Sequence, residues 1–381
     1  MIKATGLIGP VIIPLILSGL LLFSSEKNNR PKKYLVIYML IIAYVFFANY
    51  FYFEKQYIVY SWLHSLHIAS VLAIYPGAFI YVKLLTNPGI SLRKLSIHFF
   101  PSLIFFTTSA LIFFPFLNQE ERLYFLSEYR LDPDFSKTSL KVLYYVRMGN
   151  IIVLFGQVFF YLFLTFTELK KHREKVRELF SNPEKYQLNW VRIFNILLAL
   201  SAFICVFLYA VNPAKLLGDE RFLAYPMLLI AIILWFFGIM GNNQSQVVKE
   251  IMVDPEKDGR LNDLGLQSDS LAIKLVEMFE KEKPYLNPEL KIWDISARLF
   301  TNRTYISKTI NTKFGQNFSS FVNGYRINEA KEIMQKYPDK DIYSLADESG
   351  FGSALSFNRA FREKIGMNVN EFKAQYKNQK V

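Results

Sequence analysis

Two groups of polar side chains stand at helical spacing near the end of this chain. Arg303, Thr304, Ser307 and Lys308 form the first; Ser353, Ser356, Asn358, Arg359 and Arg362 form the second. Residues three and four apart share one helix face, so each group is a single wet face. Guanidinium, ammonium, hydroxyl and carboxamide groups in this pattern break no bonds. They can hydrogen-bond base edges and neutralise phosphates in a DNA major groove. Each group opens at a residue that caps helix N-termini, Asn302 in one case and Ser353 in the other. Ala354 and Leu355 lie at reading positions of the second face but are apolar. That helix is expected to read a thymine methyl or DNA shape more than a hydrogen-bond code.

The elements that position these faces are written twice. The first copy runs Ile295-Ser296, Ile306, Ile310, Gly315, Phe318, Phe321, Tyr325-Arg326. The second runs Leu345-Ala346, Phe357, Phe361, Gly366, Val369, Phe372, Tyr376-Lys377. From the second apolar anchor onward the spacings agree residue for residue. The mismatch lies earlier, where Gly350-Phe351-Gly352 holds one residue more than its counterpart. Each copy reads as a short helix, a tight turn and a second helix, that is, a helix-turn-helix. The first is placed at about 292–313 and the second at about 342–364, joined by a helix over 321–337 that Pro338 stops. Arg326 in that helix is expected to be structural, with phosphate contact as its alternative.

This arrangement resembles the DNA-binding domain of AraC/XylS-family transcription regulators, which are bacterial. The resemblance rests on Leu345-Ala346, Gly350-Phe351, Phe357-Asn358-Arg359-Ala360-Phe361-Arg362, Gly366-Met367, Glu371-Phe372 and the connector Tyr325-Arg326-Ile327-Asn328-Glu329-Ala330-Lys331. It covers roughly residues 271–376. Val369 stands where the family usually has Pro, and Asn302 replaces a common Ser. The resemblance implies two recognition helices on one face, spaced for successive major grooves. It also implies a homodimer on repeated sites and contact with RNA polymerase. No cofactor follows from it.

Ahead of this region the composition changes. The chain has 381 residues, 52% hydrophobic and 17% aromatic, mean hydropathy +0.19 and net charge +12. Such values exceed those of ordinary soluble domains and suit lipid-facing helices with aromatic belts. Seven apolar segments long enough to span a bilayer are expected at 6–23, 34–53, 58–85, 97–117, 142–167, 191–211 and 222–241, the third broken by Pro76-Gly77. With the N-terminus outside, 14 Lys/Arg fall in the inner loops and 8 in the outer segments. Seven spans then place everything after Asn242 in the cytoplasm, where DNA is. No small-x-small cleavage site follows the first segment, so it is read as a span and not a signal peptide.

The outer loop 118–141 is partly acidic and carries the turn signal Asp132-Pro133-Asp134. Within the inner loop 168–192 the run Lys170-Lys171-His172-Arg173-Glu174-Lys175 reads as a solvated helix extension near anionic headgroups. Residues 242–268 are polar, with Pro255, Gly259 and Gly265, and read as a linker. Asp269 or Ser270 would cap the helix that follows it. Residues 285–381 hold 15 Lys/Arg and 10 Asp/Glu, a net of +5 that suits a modest DNA footprint.

Inside the apolar part, His64 and His67 lie three apart near Trp62, and Arg147, Asn150 and Gln157 lie on another segment. Ionisable groups at membrane depth are functional candidates, so His64, His67, Arg147 and Asn150 are taken as a candidate sensor. Helix-packing glue is the alternative. A metal at the histidine pair would need ligands that the neighbourhood does not offer, and Cys205 reads as a packing residue. No phosphate-cradling glycine loop, HExxH or nucleophile elbow occurs, so an enzyme is not expected.

The expectation is an all-α chain: a seven-helix transmembrane domain over 1–241, a linker over 242–268 and an AraC-type domain over 269–378. Its partners would be double-stranded DNA, the lipid bilayer of the cytoplasmic (inner) membrane, and an unknown signal ligand. Two other readings stay open. One is a seven-span receptor or transporter-like protein whose C-terminal domain binds protein. The other is a membrane enzyme using His64, His67 and Arg147.

Overall fold

The computed structural model describes residues 2–23, 29–87, 89–127, 137–211, 224–243 and 264–379. Among these residues the chain is helical, with one isolated antiparallel bridge between Phe180 and Lys291. It divides into two compact units.

The first unit comprises Met1–Leu169 and Leu188–Val253. Its helices are α1 (Ile2–Phe23), α2 (Arg30–Phe53), α3 (Tyr57–Thr86), α4 (Leu92–Leu95), α5 (Phe100–Phe113), α6 (Gln119–Ser127), most of α7 (Thr138–Leu179), α8 (Asn189–Val211) and α9 (Ala224–Asn243). A helix therefore stands at each expected span. Among the described residues, four stretches are long and apolar enough to cross a membrane: Arg30–Phe53, Tyr57–Thr86, Leu92–Phe113 and Thr138–Leu179. Ile8–Phe23, Asn189–Ile204 and Leu229–Gly241 are shorter described apolar stretches.

Close approaches in this unit fall at glycine. A Cβ on Gly77 would meet the Tyr38 ring at 2.7 Å, and one on Gly238 would meet Leu17 at 2.4 Å. Small residues of this kind let helix backbones approach closely. The core joins Leu35, Tyr38, Met39, Tyr81, Phe194 and Phe237, the last two rings stacked at 3.7 Å. Ile152, Phe159 and Phe163 of α7 and Ile232 of α9 face outward.

Two expectations need correction here. Pro76-Gly77 does not break the third segment, since α3 runs unbroken for 30 residues with Pro76 inside it. Residues 57–86 are apolar enough for packing against α2 and α5 to hold the helix across the missing donor. The outer loop is also not all loop, because α6 forms within it. Asn118 and Glu121 exchange side-chain-to-backbone hydrogen bonds of 2.9 Å at its start, a capping box. Asp132-Pro133-Asp134 lies outside the described residues.

The second unit comprises Lys170–Gln187 and Asp254–Val381. Its helices are the end of α7, then α10 (Leu264–Glu282), α11 (Ile292–Arg298), α12 (Arg303–Phe314), α13 (Phe318–Lys336), α14 (Ile342–Glu348), α15 (Ala354–Ile365) and α16 (Val369–Gln379). Helix α10 starts five residues before the expected cap, so Asp269 and Ser270 lie inside it. Asp269 pairs with Lys313 instead. The rest of the expected linker, 244–263, lies outside the described residues.

The run Lys170–Lys175 is helical, the end of α7, with Lys170, Lys171, Glu174 and Lys175 exposed and His172 buried, but the residues that follow it depart from a loop. Phe180 and Ser181 are each 1% exposed, and Val176 is wholly buried. This stretch is packed rather than solvated, because Phe180 finds Tyr186 at 3.9 Å and Trp293 at 5.3 Å between ring centroids.

Candidate nucleic-acid interface

Each recognition helix is framed by the same three devices. In the first copy the Asn302 side chain accepts from the Tyr305 amide at 2.9 Å, and Gly315 ends α12 at φ 65°. In the second the Ser353 hydroxyl accepts from the Ser356 amide at 3.1 Å, and Gly366 ends α15 at φ 84°. These are the side-chain N-cap and left-handed C′ residue that satisfy orphan amides and carbonyls. The third device is Asn317 and Asn368, each two residues after its glycine and each capping the next helix at 2.9 Å. The repeated Gly-x-Asn was available in the sequence as a signal for both caps.

The turns inside the two copies also correspond. Phe300 in the first and Gly350 in the second both take positive φ, 48° and 84°. The extra residue of the second copy therefore falls between this position and the cap. Phe300 occupies a conformation that suits glycine, with its ring 98% exposed. Gly350 is required: a Cβ there would lie 2.4 Å from the Tyr285 carbonyl oxygen.

Inward faces of the recognition helices make the core. Ile306 and Ile310 are buried on α12, Phe357 and Phe361 on α15. Phe357 and Phe361 join Leu345, Ala346, Phe351 and Val369 in one cluster. Val369, in the place of a family proline, opens α16 and is wholly buried in that cluster.

Outward faces carry the expected readers. On α12, Thr304 and Lys308 are exposed, while Arg303 and Ser307 are half-buried. On α15, Leu355, Arg359 and Arg362 are exposed, Ser356 and Asn358 half-buried, and Ala354 packs partly against the core. Asn302 and Ser353 spend their side-chain oxygens on the caps. Two readers already have carboxylate partners: the Ser307 hydroxyl donates to Glu178 at 2.6 Å, where the Asn311 carboxamide, one turn on, also donates at 3.2 Å. Arg359 pairs with Glu184 at 2.6 Å.

Arg326 holds the domain together. Its side chain is 1% exposed and donates to the carbonyls of Tyr285 and Asn287, both at 2.7 Å, and to the Ser181 hydroxyl at 3.1 Å. Its guanidinium lies 5.6 Å from the Phe351 ring. Burial pulls its pKa down to about 9, so it stays a cation at neutral pH. A second polar knot joins Glu329 to Lys283 and Tyr285, each at 2.8 Å. Burial pushes the Glu329 carboxyl up, but these two donors outweigh it and hold its pKa below the ordinary value. At the start of α14, hydrogen bonds from Ser344 and Tyr343 hold the Asp341 carboxyl down and fix it as a cap.

The candidate sensor residues lie in the first unit. His67 Nδ1 is 2.9 Å from the Tyr60 hydroxyl, and the His64 ring sits 4.9 Å from Phe113. Tyr60 thus bridges the two histidines by ring contacts of 5.7 Å each. Asn150 lies on α7, its Nδ2 buried and without a hydrogen-bond partner among the described residues. Arg147 lies one turn before it on α7.

A family model described as Helix-turn-helix domain matches residues 295–375. The chain is 31% identical over 99 residues to the uncharacterized HTH-type transcriptional regulator YfiF of Bacillus subtilis, covering 26% of this chain and 31% of that protein. It is 28% identical over 109 residues to the uncharacterized transcriptional regulatory protein YesN of the same organism, covering 28% and 29%. Against the HTH-type regulator YtdP, also from B. subtilis, it is 20% identical over 195 residues, 51% of this chain and 23% of that one. The chain therefore spans less than a third of the length of the curated relatives it matches. No solved structure matches it. The C-terminal region is an AraC-type helix-turn-helix domain, related to bacterial transcription regulators.

Proposed function

We propose that this protein is a membrane-anchored, sequence-specific transcription regulator. Its membrane part lies within 1–241 and its DNA-binding domain at 269–378, joined by the linker 242–268. Seven spans with the N-terminus outside put that domain in the cytoplasm, against the inner membrane. One observation carries the reading: two separately capped recognition helices in one domain, each presenting an exposed cation, Lys308 on α12 and Arg359 on α15. Such a pair suits successive major grooves of one duplex. A signal arriving outside or within the bilayer, with His64, His67, Arg147 and Asn150 as candidate receivers, changes helix packing and so the pairing of tethered domains. Pairing as a homodimer raises DNA affinity through effective concentration, and contact with RNA polymerase completes the response.

The test is chemical crosslinking of the full chain to the chromosome in cells, followed by sequencing of the bound DNA. Discrete enriched sites beside promoters are expected. Lys308→Ala and Arg359→Ala should each weaken occupancy by an amount equivalent to about 1–3 kcal/mol. A flat binding profile, or the same profile in both variants, rejects the reading in favour of a protein partner for this domain.

A further inference from the structure

We propose that the segment Lys170–Gln187, basic overall but carrying Glu178 and Glu184, is a clasp whose two carboxylates occupy the DNA-reading face of the second unit and which must leave before duplex DNA is bound. The inference rests on the DNA-binding reading above and adds its regulation. The segment belongs to the same compact unit as both helix-turn-helices. It places one carboxylate on each recognition helix. Glu178 takes the Ser307 hydroxyl at 2.6 Å and the Asn311 amide at 3.2 Å; Glu184 takes Arg359 at 2.6 Å. Hydroxyl, carboxamide and guanidinium groups on these faces are the donors that phosphates and base edges would use. A carboxylate oxygen and a phosphate oxygen cannot share them, so clasp and duplex compete.

The clasp is anchored rather than laid loosely on the surface. Phe180 is buried between Tyr186 and Trp293 and bridges to Lys291. The Ser181 amide donates to the Leu290 carbonyl at 3.1 Å, and Ser319 donates to the Ser181 carbonyl at 3.3 Å. Its ion pair is half exposed and therefore weak by itself, so the burial of Phe180 and Ser181, more than charge, sets the cost of release. Lys308 and Arg362 stay exposed beside it and leave a duplex a first foothold. Apparent DNA affinity then falls in proportion to the fraction of molecules with the clasp open. Helix α7 also gives the device an input, because one helix, Thr138–Leu179, carries Arg147, Asn150 and Glu178.

The test uses the full chain in lipid nanodiscs and a fluorescent 30-base-pair duplex pool of random sequence. Glu178→Gln with Glu184→Gln should tighten binding about three- to ten-fold. Glu280→Gln with Glu332→Gln removes the same charge elsewhere and should change it less than two-fold. In a Cys205→Ser background, Ser181→Cys with Ser319→Cys closes the clasp by a disulfide. Oxidised, that variant should bind at least ten-fold more weakly than when reduced. The clasp is overturned if salt-dependent binding persists but neither the glutamine pair nor the disulfide alters it, or if the control pair tightens it equally. If no form binds duplex in a salt-dependent way, the DNA-binding reading fails and the clasp falls with it.

Discussion

Replacing Arg326 offers the sharpest test of how the domain is held. Its guanidinium serves the carbonyls of Tyr285 and Asn287 at 2.7 Å and reaches Ser181 and Asn323 at longer range. Arg326→Ala strips the buried Tyr285 carbonyl of its side-chain donor, costing about 1–3 kcal/mol, weakens the Asn287 carbonyl, which keeps the Leu290 amide at 3.2 Å, and opens a cavity beside Phe351. The total is about 3–5 kcal/mol, the range for truncating a large buried side chain. Arg326→Lys keeps the charge but has one ammonium for acceptors set around a planar fork, so about half of that loss is expected. Hydrogen exchange read by mass spectrometry on the full chain reports the change locally. Since about 1.4 kcal/mol is a factor of ten, amides of α13 should lose protection by roughly 10²- to 10⁴-fold. Arg298→Ala is the comparison, because its pair with Glu282 is 50% and 55% exposed and screened by water. It should move exchange by less than ten-fold, equivalent to under about 1 kcal/mol. Unchanged exchange in Arg326→Ala together with weakened DNA binding would refute the structural assignment and favour a phosphate contact.

Three further expectations follow from local geometry. Asn302→Ala and Ser353→Ala each remove a helix N-cap and should cost about 1 kcal/mol, seen as faster exchange in the first turn of α12 or α15 alone. The two left-handed turn positions should respond in opposite directions in thermal unfolding: Gly350→Ala loses about 2–3 kcal/mol from positive φ and a backbone clash, while Phe300→Gly gains up to about 1 kcal/mol. Glu329 has a folded pKa below its ordinary value of 4.5, so its knot contributes full stability above that pH and loses it as pH falls through the lower folded value. Wild type should loosen in that acid range by circular dichroism, and Glu329→Gln should lose this part of the pH dependence.

Much of the second unit was legible because its determinants are local and repeated. Ile306 and Ile310, Phe357 and Phe361, the two caps and the two terminal glycines all act within one turn of themselves, so spacing alone exposes them. The repeated Asn317 and Asn368 caps were equally local and equally available. The clasp was not legible. Glu178 meets Ser307 across 129 residues, and the packing of Phe180, which follows an exposed basic run, shows only once Trp293 and Tyr186 are seen around it. Helix α3 misled for the opposite reason: Pro76-Gly77 is a local break signal overruled by packing, with Gly77 seated against the Tyr38 ring. Among the candidate sensor residues, Tyr60 stands four residues before His64 and seven before His67 on one helix face, so the periodicity that paired the histidines also pointed to the ring that links them.

The most direct measurement is hydroxyl-radical footprinting of the full chain, in nanodiscs, on a promoter fragment recovered from cells. Two helix-turn-helices in one domain predict two protected patches on one side of the duplex, about one helical turn apart, with the patch nearer α15 lost in Arg359→Ala. A uniform cleavage ladder at concentrations that saturate binding, or a single patch insensitive to both Lys308→Ala and Arg359→Ala, would contradict it.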